Sequence, residues 1–259
     1  MNMTNYSVLQ LPPSCDWRSW IDRWDRMQAR YLVKRQERFD TILQLLHETK
    51  IAVSVVVDLG CGTGSLTVRI LEAFPKAQVI GIDLDPTLLP LARLRTVHGG
   101  ERVQLLQRDL RDPAWIADLP VPVDAVVSAT ALHWLNEVQL QQVYAHLAGI
   151  LRPGGIFLNA DHVGSDFPPL QQFWERHRES MRKIQRDPSA EEWDVFINAY
   201  LDELGPAARD IRAQALGTWE GIEDGLPLAW HFDQLRNAGF QHVECFWRCD
   251  CDAIYGGFL

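Results

Sequence analysis

The sequence predicts an α/β fold, a mostly parallel sheet of seven strands with helices on both faces, and three observations predict it. Short β-branched runs alternate with helical stretches between residues 52 and 160, the pattern of a parallel sheet built from crossover units. A glycine-rich turn, Gly60-Cys61-Gly62-Thr63-Gly64, links the first such run to the helix after it. The last two runs, His242–Arg248 and Ala253–Phe258, stand too close for a crossover helix, so that pair must be antiparallel and form the sheet's edge.

The elements follow in order. Trp17, Trp20, Ile21, Trp24, Met27 and Tyr31 recur at helical spacing and predict a helix over 17–31 with one apolar face. Phe39, Ile42, Leu43 and Leu46 predict another over 34–48. Residues 1–50 thus read as a helical segment that either packs on the domain or, with three tryptophans on one face, forms a lid over a ligand. Ala52–Asp58 is the first buried strand and Thr63–Phe74 its helix. Ala77–Asp83 is the second strand and Pro86–Val97 the second helix, with proline at the helix start. Arg102–Leu106, a short helix over Asp112–Asp118, Val123–Ala129, a helix over Glu137–Leu151 and Ile156–Ala160 complete the alternation.

Two apolar stripes then break the pattern: Phe173, Trp174, His177, Met181, Ile184, and Trp193, Phe196, Ile197, Tyr200, Leu201, Leu204. They predict a helical insertion over 166–217 after the fifth strand, by default with its own core. A helix over His231–Ala238, closed by Gly239, returns the chain to the main domain, which comprises 51–165 and 218–259.

The bulk numbers exclude several functions. The chain has 259 residues, enough for one large domain with an insertion, and 47% of them are hydrophobic. A formal net charge of −9 argues against wrapping nucleic acid. Arg178, Arg182, Lys183 and Arg186 cluster locally and read as a solvated helix face. Met1–Asp16 lacks a signal-peptide pattern, and no run is long and apolar enough to span a bilayer. Five cysteines without framework spacing suggest a reducing, cytoplasmic setting. Cys249 and Cys251 read as strand residues, because zinc needs four ligands and no second pair exists.

A strand, a glycine-rich turn and a helix together make a ligand-binding device. The glycines allow close backbone approach, and the helix offers free N–H groups and its positive dipole end. A phosphate loop would need Lys-Ser/Thr where this turn continues Ser65-Leu66. A dinucleotide fingerprint wants two residues between its second and third glycines, and this turn has one.

With its Asp58-Leu59-Gly60-Cys61-Gly62-Thr63-Gly64 core, Val55–Gly64 resembles the first motif of the Rossmann-like, class I S-adenosylmethionine-dependent methyltransferases. Gly81-Ile82-Asp83-Leu84-Asp85-Pro86 matches the position whose acid holds the ribose hydroxyls, and Arg108-Asp109-Leu110 the position whose acid meets the adenine amino group. Ser128-Ala129-Thr130 and Leu151-Arg152-Pro153-Gly154-Gly155 fall where that family has its next two motifs. The resemblance covers nearly the whole chain. It implies S-adenosylmethionine as cofactor, held by Asp58, Gly60, Cys61, Gly62, Gly64, Asp83, Leu84, Asp109, Leu110 and Ala129. Asp85 suits capping the next helix better than ribose binding, and Asp112 is close enough to compete with Asp109. Arg38, Arg35 and Tyr31 are candidates for the methionine carboxylate, each also readable as a solvated helix residue. Trp115 fits either beside the adenine or under the sheet.

Ala131-Leu132-His133-Trp134-Leu135 follows the fourth strand, on the edge where open α/β sheets bind ligands. It is similar to a run in small-molecule methyltransferases of the trans-aconitate and plant carboxyl types. His133, as base or hydrogen-bond partner, and Trp134, lining the acceptor pocket, are therefore the candidate catalytic residues. Both are also readable as packing residues. Asp161 and His162 are second-rank, and no metal is expected. The resemblance also implies that the 166–217 insertion covers the acceptor site, with some of Trp174, His177, Trp193, Phe196 and Tyr200 reaching its cavity. The resemblance implies methyl transfer to a small-molecule acceptor, on a carboxylate or hydroxyl oxygen, with no nucleic-acid or membrane partner, by a monomer or homodimer. The alternative is an inactive cofactor-binding subunit or sensor of the same fold.

Overall fold

The structure, a computed structural model, describes residues 9, 11–49, 53–185, 187–218 and 220–259. Ala52, the expected start of the first strand, Arg186 of the cationic cluster, and most of the Met1–Asp16 segment lie outside the described residues. Seven strands form one sheet: β1 Val55–Leu59, β2 Gln78–Asp83, β3 Val103–Gln107, β4 Val123–Ala129, β5 Leu151–His162, β6 His242–Cys249 and β7 Asp252–Phe258. Their order is β3-β2-β1-β4-β5-β7-β6. β1 to β5 are parallel, and β7 runs antiparallel to both β5 and β6. The final pair is the expected antiparallel edge. Direction reverses only at β7, so the outermost strand β6 points the same way as the parallel five.

Both faces of the sheet are covered, which is why its central strands read as unbroken apolar runs. α2 (Arg35–Glu48) and α3 (Ser65–Ala73) bury Phe39, Ile42, Leu46 and Ile70 against Val56, Leu158 and Ile254. On the opposite face, α5 (Glu137–Ile150) and α9 (Leu228–Ala238) bury Tyr144, Leu147 and Leu235 with Phe157 and Tyr255. Each fully buried aliphatic or aromatic side chain of this kind contributes roughly 1.5–3 kcal/mol. The two layers make a rigid base for the carboxyl edge of the sheet.

A third apolar cluster joins the N-terminal helix to the insertion. α1 (Trp17–Tyr31) and α7 (Trp193–Leu204) share Trp20, Trp24, Met27, Phe196, Ile197 and Tyr200, with Leu88 and Leu91 beneath them. The Trp20 and Trp24 rings meet Phe196 edge-on at 5.8 and 5.6 Å. The second stripe of the insertion is therefore core, but a core shared with α1.

The first stripe is a correction. α6 (Pro168–Ile184) buries no residue; Phe173 is 53% and Ile184 77% exposed. Polar contacts hold it instead: His177 Nδ1 lies 2.6 Å from Asp250, Arg182 Nε donates to the Tyr31 carbonyl at 2.8 Å, and Arg248 sits over Trp174. The remaining insertion helix is α8 (Ala208–Leu216).

Three boundaries also differ. α4 runs over Leu89–Arg95 rather than from Pro86, because Asp85 accepts from the N–H and hydroxyl of Thr87 and holds 85–87 as a turn. Residues 112–118 form only a 3₁₀ turn, Pro113–Ile116, with Asp112 as its cap. β5 starts at Leu151, which pairs with Val123; the Arg152-Pro153-Gly154-Gly155 segment bulges before pairing resumes at Ala125 and Ile156, and Arg152 ties it to Asp124.

Candidate active site

β1 delivers the chain to the glycine turn at the carboxyl edge, and α3 begins immediately after it. Gly60 and Gly62 have φ of +67° and +54°, a region that side chains other than glycine strain to reach. A Cβ on Gly60 would lie 2.2 Å from the Cβ of Ala131, so the turn abuts the segment that follows β4. Cys61 N–H donates to the Ile82 carbonyl at 3.0 Å, and Gly62 N–H to Asp83 Oδ2 at 2.6 Å. The turn is thus stitched to the end of β2.

Two acids lie under this turn. Asp58 is buried and accepts from the Thr67 hydroxyl at 2.6 Å; burial pushes its pKa up to about 7. Asp83 accepts from Asp85 N–H through its other oxygen at 2.8 Å. Burial, and then the charge of Asp85, push its pKa up to about 6. Each Asp83 oxygen holds one backbone donor and keeps room for a second. Asp85 itself is spent on Thr87 and on Arg212 of α8, 2.7 Å away. Cys61 is buried beneath the turn, and burial raises its thiol pKa well above the ordinary value.

The remaining expected cofactor residues divide. Asp109 is forked by Arg111, with both its oxygens within 2.9 Å of Nε. Leu84, Leu110 and Ala129 are half-buried along the edge. Trp115 is 1% exposed in the main core, its indole N–H 3.2 Å from His146 Nδ1, so it is a residue beneath the sheet. α1 covers the turn: Trp24 is 3.6 Å from where a Gly62 Cβ would stand. Asp25 pairs with Arg95 at 2.7 Å and Arg35 at 3.2 Å. Tyr31 donates its hydroxyl hydrogen to Glu192 at 2.6 Å and accepts from Trp193 N–H, which turns it toward the insertion. Arg38 is 2% exposed with Nη2 2.6 Å from Asp252, yet none of its guanidinium nitrogens makes a well-formed hydrogen bond.

Past β4, a 3₁₀ turn (Leu132–Trp134) sets His133 against the end of β5. His133 Nδ1 lies 2.7 Å from Asp161 Oδ1, and its backbone N–H donates to Oδ2 at 3.0 Å. Burial opposes a charge on His133, but Asp161 more than offsets it and raises the imidazole pKa above its ordinary value. Burial works against the Asp161 charge too; His133 outweighs it and holds the carboxyl well below the usual range. Trp134 is 49% exposed beside His133, ring centroids 5.8 Å apart.

His162 comes close as well, its ring 5.0 Å from that of His133. Among the described residues, His133, Asp161 and His162 place three ligand-type atoms within 4.8 Å of one another. Asp161 already accepts from His133 N, His133 Nδ1 and His162 N. A carboxylate so committed suits orienting an imidazole better than ligating an ion.

Similarity to known proteins agrees with this geometry. The family model described as a methyltransferase domain matches residues 56–155, from β1 to the start of β5. A trans-aconitate 2-methyltransferase of Azoarcus sp. (strain BH72) is 30% identical over 218 residues, covering 80% of this chain and 78% of that protein. The chain belongs to the class I S-adenosylmethionine-dependent methyltransferases. A malonyl-[acyl-carrier protein] O-methyltransferase of Bacillus cytotoxicus is 28% identical over 159 residues, 60% of this chain and 48% of that protein. This match thus spans about half of the Bacillus enzyme. Magnesium protoporphyrin IX methyltransferase from Synechocystis PCC 6803, solved with S-adenosylhomocysteine, shares the fold: TM-score 0.56, 16% identity, 93% and 94% coverage. The methyltransferase uses S-adenosylmethionine, and the chain's own groups fit it. The turn leaves no side chain at Gly60 or Gly62, and Asp83 has acceptor capacity for two hydroxyls. Among the described residues, no helix is long and apolar enough to cross a membrane.

Several site residues escaped the sequence pattern. Asp252 is invisible until the β5–β7 register sets it opposite His162. Ala131 matters only through its approach to Gly60. Asn159, Tyr144, His231 and Tyr255 form a buried hydrogen-bonded group below the His133 side, with burial pulling the His231 pKa down to about 4. The strand-period position of Asn159, two before Asp161, was the one signal available for it.

Proposed function

We propose that this methyltransferase transfers its methyl group to an oxygen of a small acidic acceptor, bound at the carboxyl ends of β4 and β5. The observation that carries the reading is the His133–Asp161 pair, with His133 two residues after Ala131, where the glycine turn meets the post-β4 segment. The names of the two relatives above support a carboxyl acceptor: trans-aconitate is a small acid, and a malonyl-[acyl-carrier protein] carries its carboxyl on an acyl group held by a carrier protein.

In this reading Gly60, Cys61, Gly62 and Gly64 would hold the donor, with Asp58 and Thr67 bracing the turn from below. Asp83 accepts from the ribose hydroxyls. Leu84, Asp109, Leu110 and Ala129 border the adenine, and the Arg111 fork sets the Asp109 carboxylate in place. α1 and the insertion helix α7, fastened by Arg23–Glu191 and Tyr31–Glu192, cover the site together and keep it dry. Bound S-adenosylmethionine would supply a methyl activated by its sulfonium: the acceptor oxygen would form a bond to the methyl carbon in line as the carbon–sulfur bond breaks and S-adenosylhomocysteine leaves. The chain's part is to position, and a carboxylate acceptor needs no base. Asp161 holds His133 through Nδ1, so Nε2 is the atom left to donate to one acceptor oxygen while the other attacks. Trp134 borders the same opening.

The test is a panel of small mono-, di- and tricarboxylic acids alongside phenols and alcohols, read by S-adenosylhomocysteine formation and product mass. Methyl esters, cleaved by mild alkali, are the expected products. For an acid acceptor, kcat/KM should fall as pH rises through the His133 pKa. A rise with pH, with ethers as products, would make His133 a base for a hydroxyl and refute the carboxylate reading.

A further inference from the structure

His162 carries a second pairing that the reading above does not use. Its Nδ1 is 2.6 Å from Asp252 Oδ1, and the other Asp252 oxygen is 2.6 Å from Arg38 Nη2. Asp252 is 1% and Arg38 2% exposed. An ion pair buried this deeply is a weak device for stability, because desolvation consumes what attraction returns. Here none of the three guanidinium nitrogens makes a well-formed hydrogen bond; the guanidinium has the charge contact to Asp252 and the Trp247 ring, 5.7 Å away. Such an arrangement calls for a reason outside packing. His162 sits at the end of β5, its ring 5.0 Å from His133. Both imidazoles line one small cavity with Asp161, Leu135, His231 and Tyr255.

We infer that His162 is a second acceptor-binding residue, and that the buried Arg38–Asp252 pair positions it. The inference rests on the acidic-acceptor reading. Asp252 binds Nδ1 and thereby fixes the ring plane, leaving Nε2 as the free face of His162, as Asp161 does for His133. A carboxylate holding one ring nitrogen sets which atom the imidazole presents. Arg38 pairs with Asp252 in its turn and balances its charge. Other charged groups face this relay among the described residues: Asp161 accepts from the His162 backbone N–H, His133 faces the His162 ring, Glu223 acts on His133, and Arg178 and Arg182 of α6 act on Asp252 from a distance. The pair is thus not part of the donor site, although Arg38 was a candidate for the methionine carboxylate.

The test compares His162→Phe, His162→Gln, Asp252→Asn and the double variant Arg38→Met/Asp252→Asn with the wild type. The double variant removes both buried charges at once, and so covers the case in which Asp252→Asn fails to fold because Arg38 is left alone. Three readings are taken: kcat and KM for a turned-over acid, the Kd of S-adenosylhomocysteine, and the histidine ring NMR signals during titration with the same acids. We expect His162→Phe to raise the acceptor KM at least tenfold, with the S-adenosylhomocysteine Kd within twofold of wild type. His162→Gln, which keeps a donor near Nε2, recovers part of that loss. The double variant raises KM severalfold and broadens the His162 ring signals, while adding nothing in a His162→Phe background. A merely structural pair would leave KM and the ring signals unchanged, which overturns the inference. Equal loss of S-adenosylhomocysteine affinity also overturns it, and returns Arg38 to the donor. If no acid is turned over, the acidic-acceptor reading fails. An acid that still shifts the His162 signals then supports the contact, and the lack of any shift refutes that as well.

Discussion

Gly60→Ala tests the meeting of the glycine turn and the post-β4 segment most directly. Gly60 has φ +67°, where an L side chain costs about 1–2 kcal/mol. The new Cβ would also stand 2.2 Å from the Cβ of Ala131. Carbon atoms rest about 3.5–4 Å apart, so one of the two must move by more than an ångström. Overpacking on that scale costs about 1–3 kcal/mol. The two effects together predict a loss of about 2–5 kcal/mol. Gly62→Ala separates them. Its φ is +54°, but the nearest atom to its new Cβ is 3.6 Å away on Trp24, an ordinary contact. It should lose only the backbone part, about 1–2 kcal/mol. Ala131→Gly separates them from the other side, because the Ala131 Cα is 3.6 Å from the Gly60 Cβ position and makes no overlap. The assay is urea denaturation of the four proteins of the Gly60→Ala, Ala131→Gly cycle, with S-adenosylhomocysteine titration calorimetry on each. A coupling of about 1–3 kcal/mol in favour of the double variant is expected. Coupling below about 0.5 kcal/mol, or equal losses for Gly60→Ala and Gly62→Ala, would refute the close approach.

The two acids under the turn set a pH dependence. Folding raises their pKa values to about 7 for Asp58 and about 6 for Asp83, so between roughly pH 4 and those values the folded chain binds protons that the unfolded chain has lost. Stability of the ligand-free protein should therefore be highest in the acid part of that window and fall as pH rises, by up to about 1.4 kcal/mol per unit for each group. Asp58→Asn should flatten the curve in urea melts, and an unchanged curve would contradict the shift. S-adenosylhomocysteine binding should strengthen from pH 5 to 7, as Asp83 becomes the better acceptor; calorimetry across that range checks it. Asp161→Asn should lower kcat/KM by about 10²-fold while leaving S-adenosylhomocysteine affinity intact, since it acts through His133 and not the donor. Trp115→Phe should cost about 1–3 kcal/mol in urea melts with cofactor affinity unchanged, as its indole lies in the core; a tenfold weaker Kd would place it at the adenine.

How far the sequence could be read depended on how local each feature is. The strand and helix alternation is local, and β4 falls on Val123–Ala129 and α1 on Trp17–Tyr31, as the periodicity predicts. The glycine turn is local too, because three positive-φ glycines and the acid at the end of β2 lie within about one crossover unit. Periodicity also misled. The α6 stripe has the spacing of a buried face, yet Phe173 and Ile184 stand in solvent, because a helical pattern states that one face is apolar and not that something covers it. Pro86 looked like a helix start until Asp85 turned out to spend both its oxygens, on Thr87 and Arg212.

The acceptor side was hard to read because its partners come from separate elements. His133 finds Asp161 through β4 and β5 lying side by side, and Asp161 comes from the strand after α5. His162 finds Asp252 only through the β5–β7 register, and Arg38 joins from α2 on the sheet's other layer. A net charge of −9 gave no hint of this, because the total averages over the surface. The local balance is different: Arg38, His133 and His162 converge on two aspartates, each already neutralised by one of them. This convergence of an arginine and two imidazoles lies inside an acidic protein. Its acidic surface repels anions in general, whereas in the proposed reading this one covered edge would attract them. Selectivity for an acid acceptor would thus rest on a few buried partners rather than on overall charge. For that reason neutralising exposed carboxylates should change the acceptor KM little, and disturbing Asp252 should change it a great deal.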